Sequence, residues 1–264
     1  MKYGAMNFPV RPVVNELREI ADLGFDCLEL TMDAPEATPQ KILAQKREIL
    51  DLLSSYNLKL IVHLPCFVST ANLYESIRNA SRKEILEALE ASSELGVKKA
   101  VLHPSYVTGL GKHVKEEVKK LGYEFLEDVY VRANDLEITL CLENMTSIEG
   151  WLFEPEEFRE VFKGFGNMKL TLDLGHANIQ TKESTVYGFI RLHGKKIAHL
   201  HAHDNFGKED NHLPLGCGKI KFDEIFSEIK KTGYDDTLTL EVFSQDRDYL
   251  KLSLQKAKMI WKTA

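Results

Sequence analysis

Along the whole chain, short apolar runs alternate with longer amphipathic segments, eight times over. Strand-like runs fall at 2–8, 26–30, 58–64, 99–103, 138–143, 169–173, 196–203 and 237–242. Helical periodicity fills 10–23, 39–56, 81–95, 112–134, 154–165, 183–193, 222–232 and 246–261. Within 39–56, Ile42, Leu43, Ile49, Leu50 and Leu53 share one side, and Gly24 and Gly96 stop the helices before them. Such alternation predicts a parallel sheet covered by helices. Eight units in 264 residues, with no linker and no break in composition, predict an α/β fold of one domain spanning 1–264. The expected architecture is a closed (β/α)8 TIM barrel with its active site at the C-terminal face of the strands. An open dinucleotide-binding sheet lacks its marker, since no G-x-G-x-x-G follows the first strand.

Polar residues end the strands. The third ends Val62-His63-Leu64-Pro65, the fourth Leu102-His103-Pro104, and the fifth Leu142-Glu143-Asn144. The sixth ends Leu172-Asp173-Leu174-Gly175-His176 and the eighth Leu240-Glu241-Val242. The seventh carries His199, His201 and His203 on one face, because successive side chains of a strand point opposite ways. The loop after it holds Asp210-Asn211-His212. Each of these alone has an ordinary structural use, such as Asp173 as a helix N-cap. Together, scattered donors at the ends of consecutive strands converge on one mouth. Histidine with carboxylate and no thiolate is a ligand set for Zn²⁺, Mn²⁺ or a similar divalent ion. Without a cation so many donors would repel one another or go unsatisfied. They outnumber what one ion needs, so two or three ions are also compatible with them.

Composition narrows the partners. A formal charge of −6 gives no general pull toward nucleic acid. No apolar run approaches the ~18 residues that span a bilayer, and Met1-Lys2-Tyr3-Gly4-Ala5-Met6 is too short and polar for a signal peptide. A cytoplasmic location is expected, without a membrane partner. Cys27, Cys66, Cys141 and Cys217 form no C-x-x-C pair and are expected to be reduced. Oligomeric state is not legible in the sequence.

In this order, the segments resemble the xylose-isomerase-like barrel superfamily, which includes ketose 3-epimerases and endonuclease IV. The carriers are Gly24-Phe25-Asp26-Cys27-Leu28-Glu29-Leu30, Val62-His63-Leu64-Pro65, His103-Pro104, Leu142-Glu143-Asn144 and Asp173-Leu174-Gly175-His176. His199 to Asn205 and His212-Leu213-Pro214-Leu215-Gly216-Cys217-Gly218 complete them. Similarity to the ketose 3-epimerases implies one divalent metal on Glu143, Asp173, His201 and Glu241. It also implies proton exchange by the two glutamates and substrate contact by His176. The resemblance to endonuclease IV implies a three-zinc cluster on His63, His103, Glu143, Asp173, His176, His201, Asp210, His212 and Glu241.

The loops separate the two branches. After the second strand stands acidic Thr31-Met32-Asp33-Ala34-Pro35-Glu36 where endonuclease IV has a DNA-entering Arg-Gln loop. Phe67 is the nearest match to its aromatic wedge, and Met145 to Trp151 replaces a Gly-rich segment. Acidic loops oppose binding to phosphates. The expected function is therefore a metal-dependent isomerase or epimerase of a sugar or sugar phosphate, using one to three Zn, Mn, Co or Mg ions. The alternative is a polynuclear zinc phosphodiesterase acting on abasic DNA; a non-catalytic sugar- or metal-binding barrel ranks third. Trp151 and Phe153 suit either an apolar wall of the site or a loop plug. Leu215-Gly216-Cys217-Gly218-Lys219 suits either a phosphate cradle or a tight turn. His113 and His193 are expected to be solvated on helices. His199 is expected below the metal layer, and His203-Asp204 outside the ligand shell unless the register shifts by two.

Overall fold

The computed structural model describes residues 1–148, 150–180 and 185–264. Its eight strands are β1 (Lys2–Met6), β2 (Cys27–Thr31), β3 (Lys59–His63), β4 (Lys99–Leu102), β5 (Thr139–Glu143), β6 (Lys169–Asp173), β7 (Ile197–Ala202) and β8 (Thr237–Leu240). They pair in parallel with their sequence neighbours, and β8 pairs with β1, which closes the barrel. The helices are α1 (Val13–Asp22), α2 (Pro39–Ala44), α3 (Lys46–Tyr56), α4 (Glu75–Glu94), α5 (Lys115–Asp135), α6 (Phe158–Gly164), α7 (Val186–His193), α8 (Phe222–Lys231) and α9 (Asp248–Thr263).

Several boundaries differ from expectation, for local reasons. The helix expected over 39–56 breaks at Gln45, whose backbone leaves helical geometry at φ −104° and ψ 6°. Thr38 caps its first piece by accepting from Lys41 N–H, with Pro39 at the first helical position. α4 begins six residues before the expected 81. α6 starts after a short 3-10 turn, Pro155–Glu157, closed by a reciprocal Glu154/Glu157 capping box. The helix expected from 183 begins at Val186, and 183–184 lie outside the described residues.

Strand alternation divides the chain into two interiors. Outward residues such as Leu28, Leu30, Leu102, Leu142, Leu172, Leu200 and Leu240 are buried under the helices, with Leu17, Ile49, Leu89, Phe125, Phe158 and Phe226 against them. Burying each large aliphatic side chain there contributes about 1.5–3 kcal/mol. The barrel axis is more polar. Toward the N-terminal ends of the strands, Lys99 Nζ bonds Ala198 O at 2.6 Å, Asp236 Oδ2 at 2.8 Å and Thr237 Oγ1 at 3.0 Å. Above it, Glu29, His199 and Thr239 are fully buried. A barrel packed only for stability fills this axis with branched apolar residues.

Candidate metal centre

The strand ends deliver their donors as the alternation predicts. His63, Glu143 and Asp173 are the last residues of β3, β5 and β6; His103 and Glu241 follow the last residues of β4 and β8. Glu143 lies at the middle. Its Oε2 is 3.4 Å from His63 Nε2 and 3.2 Å from His103 Nε2. Its Oε1 is 3.3 Å from His201 Nδ1 and 3.3 Å from His176 Nδ1. His201 Nδ1 also faces Glu241 Oε1 at 2.9 Å and Asp173 Oδ2 at 3.8 Å. At the rim, Asp210 Oδ2 stands 3.4 Å from His176 Nε2 and 3.0 Å from His212 Nε2. All nine predicted residues therefore meet in one continuous cluster.

Two features of this cluster fit divalent ions. First, both Glu143 oxygens, Asp173 Oδ2 and His201 Nδ1 are buried with no hydrogen-bond partner. An unpaired buried polar atom costs about 1–3 kcal/mol, more when charged. Many of the donor separations lie near ~3.3 Å, the edge of a tetrahedron with ~2.0–2.1 Å bonds. Second, the remaining ring nitrogen of His63, His103, His176, His201 and His212 is already held. Nδ1–H donates to Leu64 O from His63 at 2.9 Å, to Asn144 O from His176 at 2.9 Å, and to Glu241 O from His212 at 3.0 Å. His103 Nδ1 pairs with Tyr106 Oη at 2.7 Å, and His201 Nε2 with Glu29 Oε1 at 3.0 Å. Such outer partners fix the tautomer and turn the other nitrogen toward the shared donors, where an ion would bind. Among the described residues, five donor groups have ligand atoms close enough to share an ion: Glu29, His199 and His201; His63, His103 and Glu143; Glu143, Asp173, His201 and Glu241; Asp173, His176 and His203; and His203, His212 and Glu241.

The charges balance against burial. Burial alone would lower the His201 imidazole, but Glu241, Glu29 and Glu143 hold it well above the usual histidine value. Burial likewise opposes the charged forms of His63 and His176, and Glu143 for the first and Asp173, Asp210 and Glu143 for the second override it. Burial favours a protonated Glu143, yet the His201 and His103 imidazoles keep it well below the ordinary carboxyl value. A cation bound among these donors would replace the protons in the same role.

Sequence reasoning missed Glu29 as part of the site. It is fully buried on β2 and accepts from His201 and His199, the latter at 2.8 Å. Its one signal was a carboxylate at an inward position of the otherwise uncharged run Cys27-Leu28-Glu29-Leu30-Thr31. His199 lies below the donor cluster, with Nδ1 2.7 Å from Thr237 Oγ1.

Asp204 organises the loop that carries Asp210 and His212. Its Oδ1 accepts from Asn205 N and Ile220 N, and its Oδ2 from Gly216 N at 2.8 Å. A backbone bridge from Asp204 to Leu213 closes the base of the loop and holds His212 in left-handed geometry at φ 46°. The amides of Gly216, Cys217 and Lys219 are thereby consumed, so 215–219 is a tight turn and not a phosphate cradle.

A cavity of about 570 Å³ opens above the cluster. His63, His103, His176, Asp210, His212 and Glu241 reach it, while Phe8, Val10, Phe67, Met145 and Phe243 wall it. Neither lysine nor arginine lines it among the described residues. Asp33 is turned inward, where its carboxylate accepts from Cys66 N and Phe67 N, and Phe67 stands 84% exposed on the rim. Trp151 is not a wall of the cavity: it is buried against Tyr123 and Gly122 of α5, as a loop plug. Phe153 does not line the cavity either. His113 is exposed, on the 3-10 turn Gly109–His113. His193 corrects its expectation: it is buried among Phe158, Phe162 and Phe189, with Nε2 donating to Pro155 O at 2.7 Å. None of the described helices is long and apolar enough to cross a membrane.

Comparison with known proteins agrees with this architecture. An uncharacterized protein of Methanocaldococcus jannaschii is 29% identical over 91% of this chain and 83% of its own length. The crystal structure of a D-tagatose 3-epimerase-like protein superposes with TM-score 0.86 at 28% identity, over 100% of this chain and 98% of that one. At lower identity stand an inosose isomerase of Bacillus velezensis (24%, 88% of this chain, 83% of its own length) and a probable endonuclease 4 of Ureaplasma parvum (22%, 81% and 76%). The model of the xylose isomerase-like TIM barrel family matches residues 17–261, and the chain belongs to that family.

Proposed function

We propose that the protein is a divalent-metal-dependent isomerase or epimerase of a sugar. One observation carries this: the quartet Glu143, Asp173, His201 and Glu241 sits under an aromatic-walled cavity of about 570 Å³ that no lysine or arginine lines among the described residues. Rings such as Phe8 and Phe243 suit the C–H face of a sugar, and a lining without lysine or arginine among the described residues favours an uncharged sugar over a sugar phosphate. The similarity to a D-tagatose 3-epimerase-like protein and to an inosose isomerase supports the same class.

The quartet would hold the ion. When bound, it supplies the Lewis acidity that lets a weak base remove a proton beside a carbonyl. Glu241 reaches the cavity and takes or returns that proton, with Glu143 as its counterpart from the floor. His176 lines the cavity too, beside Asp210.

A second reading is favoured by Glu143 itself. It turns one oxygen to His63 and His103 and the other to His201, so that it would serve two neighbouring ions if both were bound. With Asp210 and His212 nearby, that arrangement suits hydrolysis of a phosphoester by a polynuclear centre. Similarity to a probable endonuclease 4 points the same way.

The deciding experiment incubates protein loaded with Mn²⁺, Co²⁺ or Zn²⁺ in D₂O with a panel of ketoses and inososes. In parallel, it is given bis(p-nitrophenyl) phosphate and abasic DNA. Deuterium at the carbon beside a ketone, with epimer formation, is the predicted result. Phosphoester cleavage without exchange would replace this function with the second.

A further inference from the structure

His203 follows the last residue of β7 and points into the carboxylates of the cluster. It is fully buried, and neither of its ring nitrogens has a hydrogen-bond partner. Nε2 lies 3.3 Å from Asp210 Oδ1 and 3.5 Å from Asp173 Oδ1. The ring stacks on His212 with centroids 4.1 Å apart and meets His176 edge-on at 5.8 Å. Its place is made by Gly175: a Cβ there would overlap the imidazole. An imidazole buried so completely, and aimed at two carboxylates just beyond hydrogen-bonding geometry, is unexplained by packing alone.

We propose that His203 is a tenth metal ligand, binding through Nε2 an ion also held by Asp173 and His176. The ligand atoms of Asp173, His176 and His203 lie within 4.8 Å of one another, and Asp210 adds a carboxylate beside His203 and His176. Asp173 serves both places, with Oδ2 toward His201 and Oδ1 toward His203. This ion pins the loops after β6 and β7 to each other. The quartet around His201 remains the place where substrate meets metal.

The proposal rests on the cluster holding metal at all, and the test separates the two. Chelator-stripped wild type, His203→Asn and His203→Gln are titrated with Zn²⁺ alone and the bound ions counted by elemental analysis; circular dichroism checks the fold. Each variant should hold one ion fewer than wild type, or hold its last ion more than tenfold more weakly. In wild type, long-range ¹H–¹⁵N spectra of the imidazoles should show His203 Nε2 shifting on Zn²⁺ addition, a readout that needs no variant. Unchanged stoichiometry and affinity in both folded variants, or an unmoved His203 signal at Zn²⁺ saturation, would overturn the proposal and leave the quartet standing. Wild type that takes up no Zn²⁺ would overturn both.

Discussion

Glu29 Oε1 accepts from His201 Nε2–H at 3.0 Å, joining β2 to β7 across the barrel axis beneath the donor cluster. This bond places the proton on Nε2 and leaves Nδ1 facing Glu143 and Glu241. The second oxygen of Glu29 holds His199, so one carboxylate fixes two imidazoles. Glu29→Gln keeps the shape but loses the charge and one acceptor. Metal affinity should fall about 10–100-fold with the fold intact, read by competition with a chromophoric chelator. Unchanged affinity would remove Glu29 from the site.

Glu143 touches four imidazoles from the floor of the cluster. Glu143→Gln should lower turnover by about 10²–10⁴-fold under either chemistry. Steady-state assays at saturating metal check this, and an active variant would strip Glu143 of its role.

Acid and base should act on the metal-free protein with opposite signs. Despite burial, His63, His176, His201 and His212 are held above 6.5 by neighbouring carboxylates. They bind protons more tightly folded than unfolded, so their contribution is whole below pH 6.5 and is lost as pH rises through the folded values. Glu29 and Glu143 are held below 4.5, and Asp173 is lowered to about 2, so theirs is whole above pH 4.5 and is lost on acidification. Burial lowers His199 and opposes the other imidazoles. Calorimetry of stripped protein should therefore find the highest Tm between about pH 4.5 and 6.5. Added Zn²⁺ should reverse the decline above pH 6.5, because ions and protons compete for the same nitrogens. A metal-free Tm that climbs from pH 6.5 to 8 would contradict this balance.

Burial pushes the Cys27 and Cys141 thiols up to about 12, and burial with Asp33 raises Cys66. Cys217 alone of the four is exposed. Ellman's reagent at pH 8 should modify one thiol per folded chain quickly and four after denaturation. Two or more fast thiols would contradict the burial.

Gly122 sits in mid-α5 under the Trp151 ring, where a Cβ would overlap the indole. Gly to Ala within an exposed helix stabilises by about 1 kcal/mol. Here Gly122→Ala should instead destabilise by about 1–3 kcal/mol, measured by urea unfolding, because the loop plug has no room to yield.

The barrel and its donors were legible because the same period-2 alternation sets both strands and facing. His63, Glu143 and Asp173 fall at strand ends, so parity and position together aim them inward. Glu29 was harder to read: one acid in an uncharged strand looks like any buried carboxylate until His199 and His201 are seen opposite it. Trp151 and His193 were illegible for another reason. Which surface a loop or helix covers depends on the neighbouring unit, here Gly122 and the Phe158, Phe162 and Phe189 cluster, and no local period encodes it. The break at Gln45 lacks a Gly or Pro marker for the same reason.

The central claim is that donors from separate strands hold metal together on the barrel axis. Anomalous diffraction at the zinc edge, on crystals grown with Zn²⁺, tests it most directly. The account predicts an anomalous peak within bonding distance of Glu143, Asp173, His201 and Glu241. A well-ordered crystal with zinc only on the outer surface, and none between these four side chains, would contradict it.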